Sequence, residues 1–330
     1  MKPSQVISPR RLRRGDSVRV VAPALSRSFL EHDHSRLIEQ RFDEMGLVLS
    51  FGDHVDERDE FDSSSIRSRV ADLHAAFADP GVAAIMSVIG GMNSNELLPH
   101  LDWALISDNP KVFCGYSDIT ALQNAMLAKV GLVTYSGPHW STFGMRDHFE
   151  PTGEWFALAV FDDGPMELRP SEYWTDDLWF ADQDTRTLRA NEGWWALREG
   201  KASGRLVGGN LSTLNLLQGT EFMPSLDGTL LFLEDDGISD VRTFARDLTS
   251  LLQLPDAGGV TGLVVGRFQV ASGMTRAVLE EIVSRQQPLR GVPVLANVDY
   301  GHTNPLATLP VGGSAQLSVG AHCSFRFSHR

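Results

Sequence analysis

The stretch KVFCGYSDIT, residues 111–120, constrains this chain most. Val112 to Cys114 form a short apolar run, Gly115 breaks it, and helical spacing begins at Asp118. A buried strand that gives way to a helix within three residues predicts an α/β unit, with Ser117 on the tight turn. Such a turn lifts a hydroxyl out of the top of a sheet and aims the following backbone N–H groups at the same point. Ser117 or Asp118 can equally cap the new helix, as both residue types commonly do. The pattern is Gly-x-Ser-x-Ile and lacks the second glycine of the usual nucleophile turn, so the rest of the chain has to decide.

The same alternation recurs around it. SVRVVAPAL (17–25), LVLSF (47–51), VAAIMSVIGG (82–91) and GLVTYSGP (131–138) read as strands. A helical pattern over 27–45 stops at Gly46, and SSIRSRVADLHAAFADP is an amphipathic helix closed by Asp79-Pro80. NELLPHLDW reads as a short helix. Alternating strands and helices predict a parallel, doubly wound sheet with its site at the strands' carboxyl ends. Gly90-Gly91 and Gly115–Ser117 both fall at such ends and can share a crevice.

From about 145 to 200, acidic and aromatic residues with little periodicity predict a connecting region with a loop over the site. Stacking on a ligand is open to Trp174 and Trp179, whereas Trp194 and Trp195 are expected to pack. Beyond 200, GRLVGGNLSTLNLLQGT reads as strand, glycine turn and helix, and GTLLFLEDD (228–236) as an apolar strand ending in three acids. ISDVRTFARDLTSLLQL and TRAVLEEIVSRQQP are helices around the strand GVTGLVVGRF (259–268). PVLANVDYGHTNP is a strand ending in a Gly-His turn, and AQLSV and CSFRF are alternating strands. The expected division is an N-terminal α/β domain over 1–165, a connecting region with the substrate loop over 166–200, and a β-richer C-terminal α/β domain over 201–330.

A net charge of −13 argues against binding a nucleic acid polymer, because phosphate neutralisation needs a basic face. The cluster Arg10, Arg11, Arg13 and Arg14 reads as a solvated lead-in to the first strand. No apolar run is long enough to span a bilayer, so no membrane is expected as a partner. The N-terminus has basic residues but no apolar stretch before a cleavage site, so a cytoplasmic location is expected. Two cysteines, Cys114 and Cys323, make no disulfide framework, and Cys114 is expected to be buried and inert.

Three strand ends carry groups that suit one another: Ser117, the acids Glu234, Asp235 and Asp236, and His302. Serine needs a base to be nucleophilic at neutral pH, and the histidine that serves it needs a carboxylate to fix its tautomer. Glu234 directly follows LLFL, with Asp235 and Asp236 as competitors for that role. An oxyanion hole needs two donors. The Asp118 N–H is one candidate, and Gly90 or Gly91 supplies the other. His32-Asp33-His34, and His54 with Asp56, match no metal-site spacing, and Gly208-Gly209-Asn210 and Gly312-Gly313 lack a phosphate-loop frame. No metal and no cofactor are therefore expected.

VIGGMNSNELLPHLD, KVFCGYSDITAL, GRLVGGNLSTLNLLQGT, LLFLEDD and VDYGHTNP stand in the order found in the LD-carboxypeptidase family of serine peptidases. The chain resembles that family from about residue 13 onward. The family includes murein tetrapeptide carboxypeptidases and microcin C self-immunity peptidases. The resemblance implies a flavodoxin-like N-terminal domain and a smaller α/β C-terminal domain, assembled as a homodimer. It implies Ser117 as nucleophile, Glu234 as orienting acid and His302 as general base, with Gly90 or Gly91 and Asp118 as the oxyanion hole. GGMNSNELL looks closer to the microcin C immunity branch, which cleaves the amide between an aspartyl residue and a modified nucleotide phosphate. A small peptide or aminoacyl-nucleotide substrate follows, with Trp174 stacking on the nucleobase and Asn210 and Gln269 among the substrate-binding residues. Gln269 stands where that branch is expected to place a glutamate, and a neutral amide holds an ammonium less well. The alternatives are a murein L,D-carboxypeptidase that releases terminal D-alanine, an α/β-hydrolase esterase with the same Ser…Glu…His order, and an inactive binding module.

Overall fold

The computed structural model describes residues 6–30 and 34–329. The first five strands are β1 (Ser17–Val21), β2 (Val48–Phe51), β3 (Val82–Ser87), β4 (Val112–Gly115) and β5 (Thr134–Ser136). They are parallel, as the alternating sequence predicts, and lie in the order 2-1-3-4-5, the flavodoxin-like order that the family resemblance implies. Helices α1 (Ser35–Met45), α2 (Ile66–Ala78), α3 (Trp103–Asp108) and α4 (Thr120–Val130) connect them. The stretch NELLPHLDW is not one helix: a 3-10 turn over Ser94–His100 contains Pro99, and Asp102 then caps α3 through the Leu105 N–H. The cluster at Arg10–Arg14 does form a lead-in, with Arg10 paired to Asp16 and Arg11 bonded to the Tyr135 hydroxyl.

The region from 145 to 200 is more ordered than its composition predicts. It holds α5 (Glu150–Phe161), whose buried residues Thr152, Phe156, Ala159 and Val160 lie four, three and one apart. That spacing is a helical face, masked in the sequence by Gly153 and by the acidic and aromatic residues around it. Next come β6 (Met166–Leu168), the hairpin strands β7 (Tyr173–Trp174) and β8 (Arg189–Ala190), and β9 (Trp195–Arg198).

The second sheet is built from β10 (Gly200–Asn210), β11 (Thr229–Glu234), β12 (Gly262–Gly266) and β13 (Val294–Val298), all parallel. Helices α6 (Leu211–Asn215), α7 (Val241–Leu252) and α8 (Arg276–Ser284) connect these strands. The chain ends in β14 (Leu309–Val311), β15 (Ser314–Val319) and β16 (Ser324–Ser328). With antiparallel β15, β16 and β6 on one side and β9 on the other, the sheet has eight strands.

Two features fix the sheets against each other. β14 leaves the second half of the chain to pair antiparallel with β5, at the edge of the first sheet. Helix α4 is buried on nearly every side, which explains why its sequence has no solvated face. Its two buried amides bond to both sides: Gln123 donates to the Gly115 and Tyr135 carbonyls of the first sheet, and Asn124 crosses the join to donate to the Gly208 carbonyl at 2.9 Å. Each such bond contributes about 1 kcal/mol net, and leaving a buried partner unpaired costs more.

The pair Gly208-Gly209 is not a turn, as the sequence suggested, but the end of β10. Both residues have positive φ, 145° and 125°. A Cβ on Gly208 would fall inside the Phe232 carbonyl of β11, and one on Gly209 would meet the Thr120 side chain at the start of α4. Glycine is needed here so that strand and helix can approach closely. Gly208→Ala is expected to lower stability by more than about 3 kcal/mol in urea unfolding. A loss under about 0.5 kcal/mol would show that the strand pair relaxes around the methyl group.

Candidate active site

β4 ends at Gly115, and Ser117 sits at φ 59°, the left-handed region that a residue other than glycine rarely adopts. The strained turn stands between β4 and α4, where strain is commonly stored at functional sites. Ser117 begins a 3-10 turn rather than capping through its side chain, so its hydroxyl is free for other partners.

That partner is His302. The Ser117 hydroxyl lies 3.0 Å from His302 Nε2, and His302 Nδ1 lies 2.7 Å from Glu234 Oε2. A carboxylate only accepts, so Nδ1 carries the proton and Nε2 accepts from Ser117. The rival acids are engaged elsewhere. Asp235 turns to the opposite side of the strand end, where its Oδ1 accepts from Asn210, Ser212 and the Asp236 N–H. Asp236 accepts from the Ile238 N–H.

Glycines make room for this line. Gly301, at φ 99°, lies so close to Glu234 that a Cβ would stand 2.6 Å from its Oε2. Gly90 faces the serine: a Cβ there would stand 3.0 Å from Ser117 Cβ, 3.1 Å from Oγ and 3.5 Å from the Asp118 nitrogen. Its missing side chain leaves space in front of both groups. Gly91 packs instead against Ala24 and Leu25. The Asp118 carboxylate is buried and turned away, accepting from the Ser94 N–H at 2.9 Å.

Burial pushes the His302 pKa down, but the charge and hydrogen bond of Glu234, with Asp236 and Asp235, outweigh it and raise it above 6.5. The Asp235 carboxyl is pushed up to about 6, first by burial and then by the Glu234 charge. Burial raises the Cys114 thiol, in keeping with an inert cysteine inside β4.

A cleft of about 500 Å³ opens beside the line. Tyr116, His139, Trp179, Phe180, Asp236 and Gln269 line it together with His302. Gln269 accepts from the Gly237 N–H at 2.6 Å, so its carbonyl holds the turn after β11. Two expected substrate residues lie elsewhere. Asn210 is buried, caps α6 and bonds Asp235. Trp174 stands beneath two guanidinium groups, Arg189 and Arg267, and is not among the cleft residues. Trp179 and Phe180 form the aromatic wall instead. Trp194 and Trp195 pack against the second sheet's core, as their pattern suggested. His139 was missed, although its place just past β5 is where strand-end sites occur.

Among the described residues no group of three or more His, Cys, Asp or Glu is placed to hold a metal. His32 and Asp33 lie outside the described residues, while His54 is bonded to Asp72 and Asp56 pairs with Arg27.

The LD-carboxypeptidase N-terminal domain matches residues 18–137, and its C-terminal domain matches residues 203–317. A Bacillus subtilis relative with the provisional name carboxypeptidase YocD is 47% identical, with 94% of this chain and 95% of that protein covered. The microcin C7 self-immunity protein MccF of Escherichia coli is 36% identical, covering 81% of this chain and 80% of that protein. The murein tetrapeptide carboxypeptidase of Pseudomonas aeruginosa is 27% identical, with 91% and 92% covered. An MccF-like protein from Bacillus anthracis superposes with a TM-score of 0.97 at 44% identity, covering 98% of this chain and all of that one. MccF solved with aspartyl sulfamoyl adenosine superposes at 0.88, with 29% identity, 98% of this chain and 99% of that one covered.

The His302 titration is the direct probe of this site's electrostatics. Its folded pKa is raised, so its contribution to stability is full below pH 6.5 and is lost as pH rises through the folded value. In an NMR titration the His302 midpoint is expected above 6.5, and Glu234→Gln should bring it below 6.5, because burial then acts with less opposition. A midpoint that Glu234→Gln leaves in place would contradict the assigned cause.

Proposed function

The chain belongs to the LD-carboxypeptidase family and is a serine peptidase; on that footing we propose that Ser117, His302 and Glu234 are its catalytic triad and that it hydrolyses the amide of peptidyl- or aminoacyl-nucleotides. The observation that carries the triad is the continuous line from Ser117 through His302 to Glu234, at 3.0 and 2.7 Å. In this reading Ser117 Oγ attacks the scissile carbonyl carbon while His302 Nε2 takes its proton. The oxyanion accepts from the Asp118 N–H and from the glycine pair, with Gly90 the nearer to the serine. His302 passes its proton to the leaving nitrogen, the C–N bond breaks, and an acyl-serine remains. Water then attacks the ester, giving its proton to His302 and restoring the Ser117 hydroxyl. Glu234 holds the tautomer and stabilises the imidazolium throughout.

The aromatic wall supports the nucleotide side of this reading. Trp179 and Phe180, with ring centroids 5.9 Å apart, offer a face on which a nucleobase stacks. Three aspartates on the cleft wall, Asp176, Asp177 and Asp236, suit the amino end of an aminoacyl group. Cytoplasmic location and assembly as a homodimer belong to the same proposal. A second reading, a murein L,D-carboxypeptidase, is supported by the Pseudomonas aeruginosa relative. The flavodoxin-like strand order sets aside an α/β-hydrolase esterase.

Ser117→Ala is expected to lower kcat by at least about 10³-fold with the fold intact. Wild-type protein is expected to cleave an aminoacyl-nucleotide phosphoramidate with a higher kcat/KM than a murein tetrapeptide. Unchanged turnover in Ser117→Ala would sink the triad, and the reverse substrate preference would favour the second reading.

A further inference from the structure

Among the described residues, His139 is the one buried histidine of the cleft wall outside the triad. It is 2% exposed and its backbone N–H donates to Thr142 Oγ1. Its Nδ1 lies 2.7 Å from Ser87 Oγ, at the end of β3. That hydroxyl has one proton and a second, longer acceptor contact of 3.5 Å to the Cys114 carbonyl. The carbonyl can only accept, so the hydroxyl proton goes to it, Nδ1–H donates to Ser87 Oγ, and Nε2 is left as an acceptor. Nε2 has no partner among the described residues, although His139 lines the cleft. Thr303, another lining residue at 1% exposure, likewise has a buried hydroxyl without a partner among the described residues. A buried polar group is costly unless something bonds it. This wall therefore offers two polar groups for a bound molecule to satisfy.

The ring is held rigidly. Tyr116 stacks on His139 at 4.2 Å and meets His302 edge-on at 5.2 Å. One tyrosine ring thus packs against both imidazoles, and all three residues line the same cleft.

We propose that His139 is a further substrate-contacting residue, presenting its Nε2 as a fixed acceptor to an N–H or O–H group of the bound substrate. Burial, and then the charge of His302, hold its pKa well below 6.5. It thus stays an uncharged acceptor while its neighbour takes up and releases protons. The proposal rests on the functional reading above.

The test is calorimetric, in Ser117→Ala protein so that nothing turns over, with aspartyl sulfamoyl adenosine and a murein tetrapeptide as the two probes. Adding His139→Ala is expected to weaken the probe that binds by about tenfold, the effect of one lost hydrogen bond. His139→Gln, whose amide oxygen keeps an acceptor at nearly the same reach, should recover most of that loss. Ser87→Ala, which leaves the ring in place and frees its tautomer, should give an intermediate value. In ¹⁵N-labelled protein the His139 Nε2 resonance should move when the probe binds. Equal affinity in the alanine, glutamine and parent proteins, or an unmoved resonance, overturns this proposal alone. Failure of the Ser117→Ala protein to bind either probe overturns the functional reading and this proposal with it.

Discussion

A hydrogen-bonded line between two sheets sets the demands that the rest of the molecule meets. Ser117 stands at the end of β4 in the first sheet, Glu234 at the end of β11 in the second, and His302 beyond β13 bonds both. Bonds at 3.0 and 2.7 Å tolerate little relative motion of their supports. The join is built accordingly. β14 completes the first sheet from the second half of the chain, and buried amides of α4 bond carbonyls on both sides. At Gly209 the two halves come closer than a side chain permits, because a Cβ there would meet Thr120, while Gly208 and Gly301 make room within the second half, against Phe232 and Glu234.

Much of this was legible in the sequence, because the informative signals were local. β-branched runs bounded by glycine and proline mark the strands, and their alternation with amphipathic helices predicts the parallel, doubly wound sheet, whose flavodoxin-like order only the family resemblance implied. The three strand-end residues were legible for the same reason: strand carboxyl ends converge in such sheets. The choice among Glu234, Asp235 and Asp236 was not legible, since it depends on which way each side chain leaves the strand end. The Gly208-Gly209 pair read as a turn because glycine doublets usually are one, whereas here a neighbouring strand and helix exclude any Cβ. Helix α5 was hidden by Gly153 and by its acidic surroundings.

The substrate side of the cleft was the least legible part. Trp174 and Trp179 lie five residues apart in one loop with similar surroundings, and only their three-dimensional neighbours separate them. Trp174 is covered by Arg189 and Arg267, while Trp179 lines the cleft. Asn210 is drawn away by the open end of α6, whose N–H groups it caps. His139 carries no motif, and Tyr116 sits inside the Ser117 motif without a role of its own there; their stack of rings between the ends of β4 and β5 forms only once the sheet is closed.

The central claim is that the two sheets are held together so that Ser117 acts as the nucleophile. Rapid acid quenching during turnover of an aminoacyl-nucleotide or murein peptide, followed by peptide mass mapping, tests it directly. An acyl mass on the peptide that contains Ser117, absent from Ser117→Ala protein, is the predicted result. An acyl group on any other residue, or turnover by protein lacking the Ser117 hydroxyl, would contradict the account.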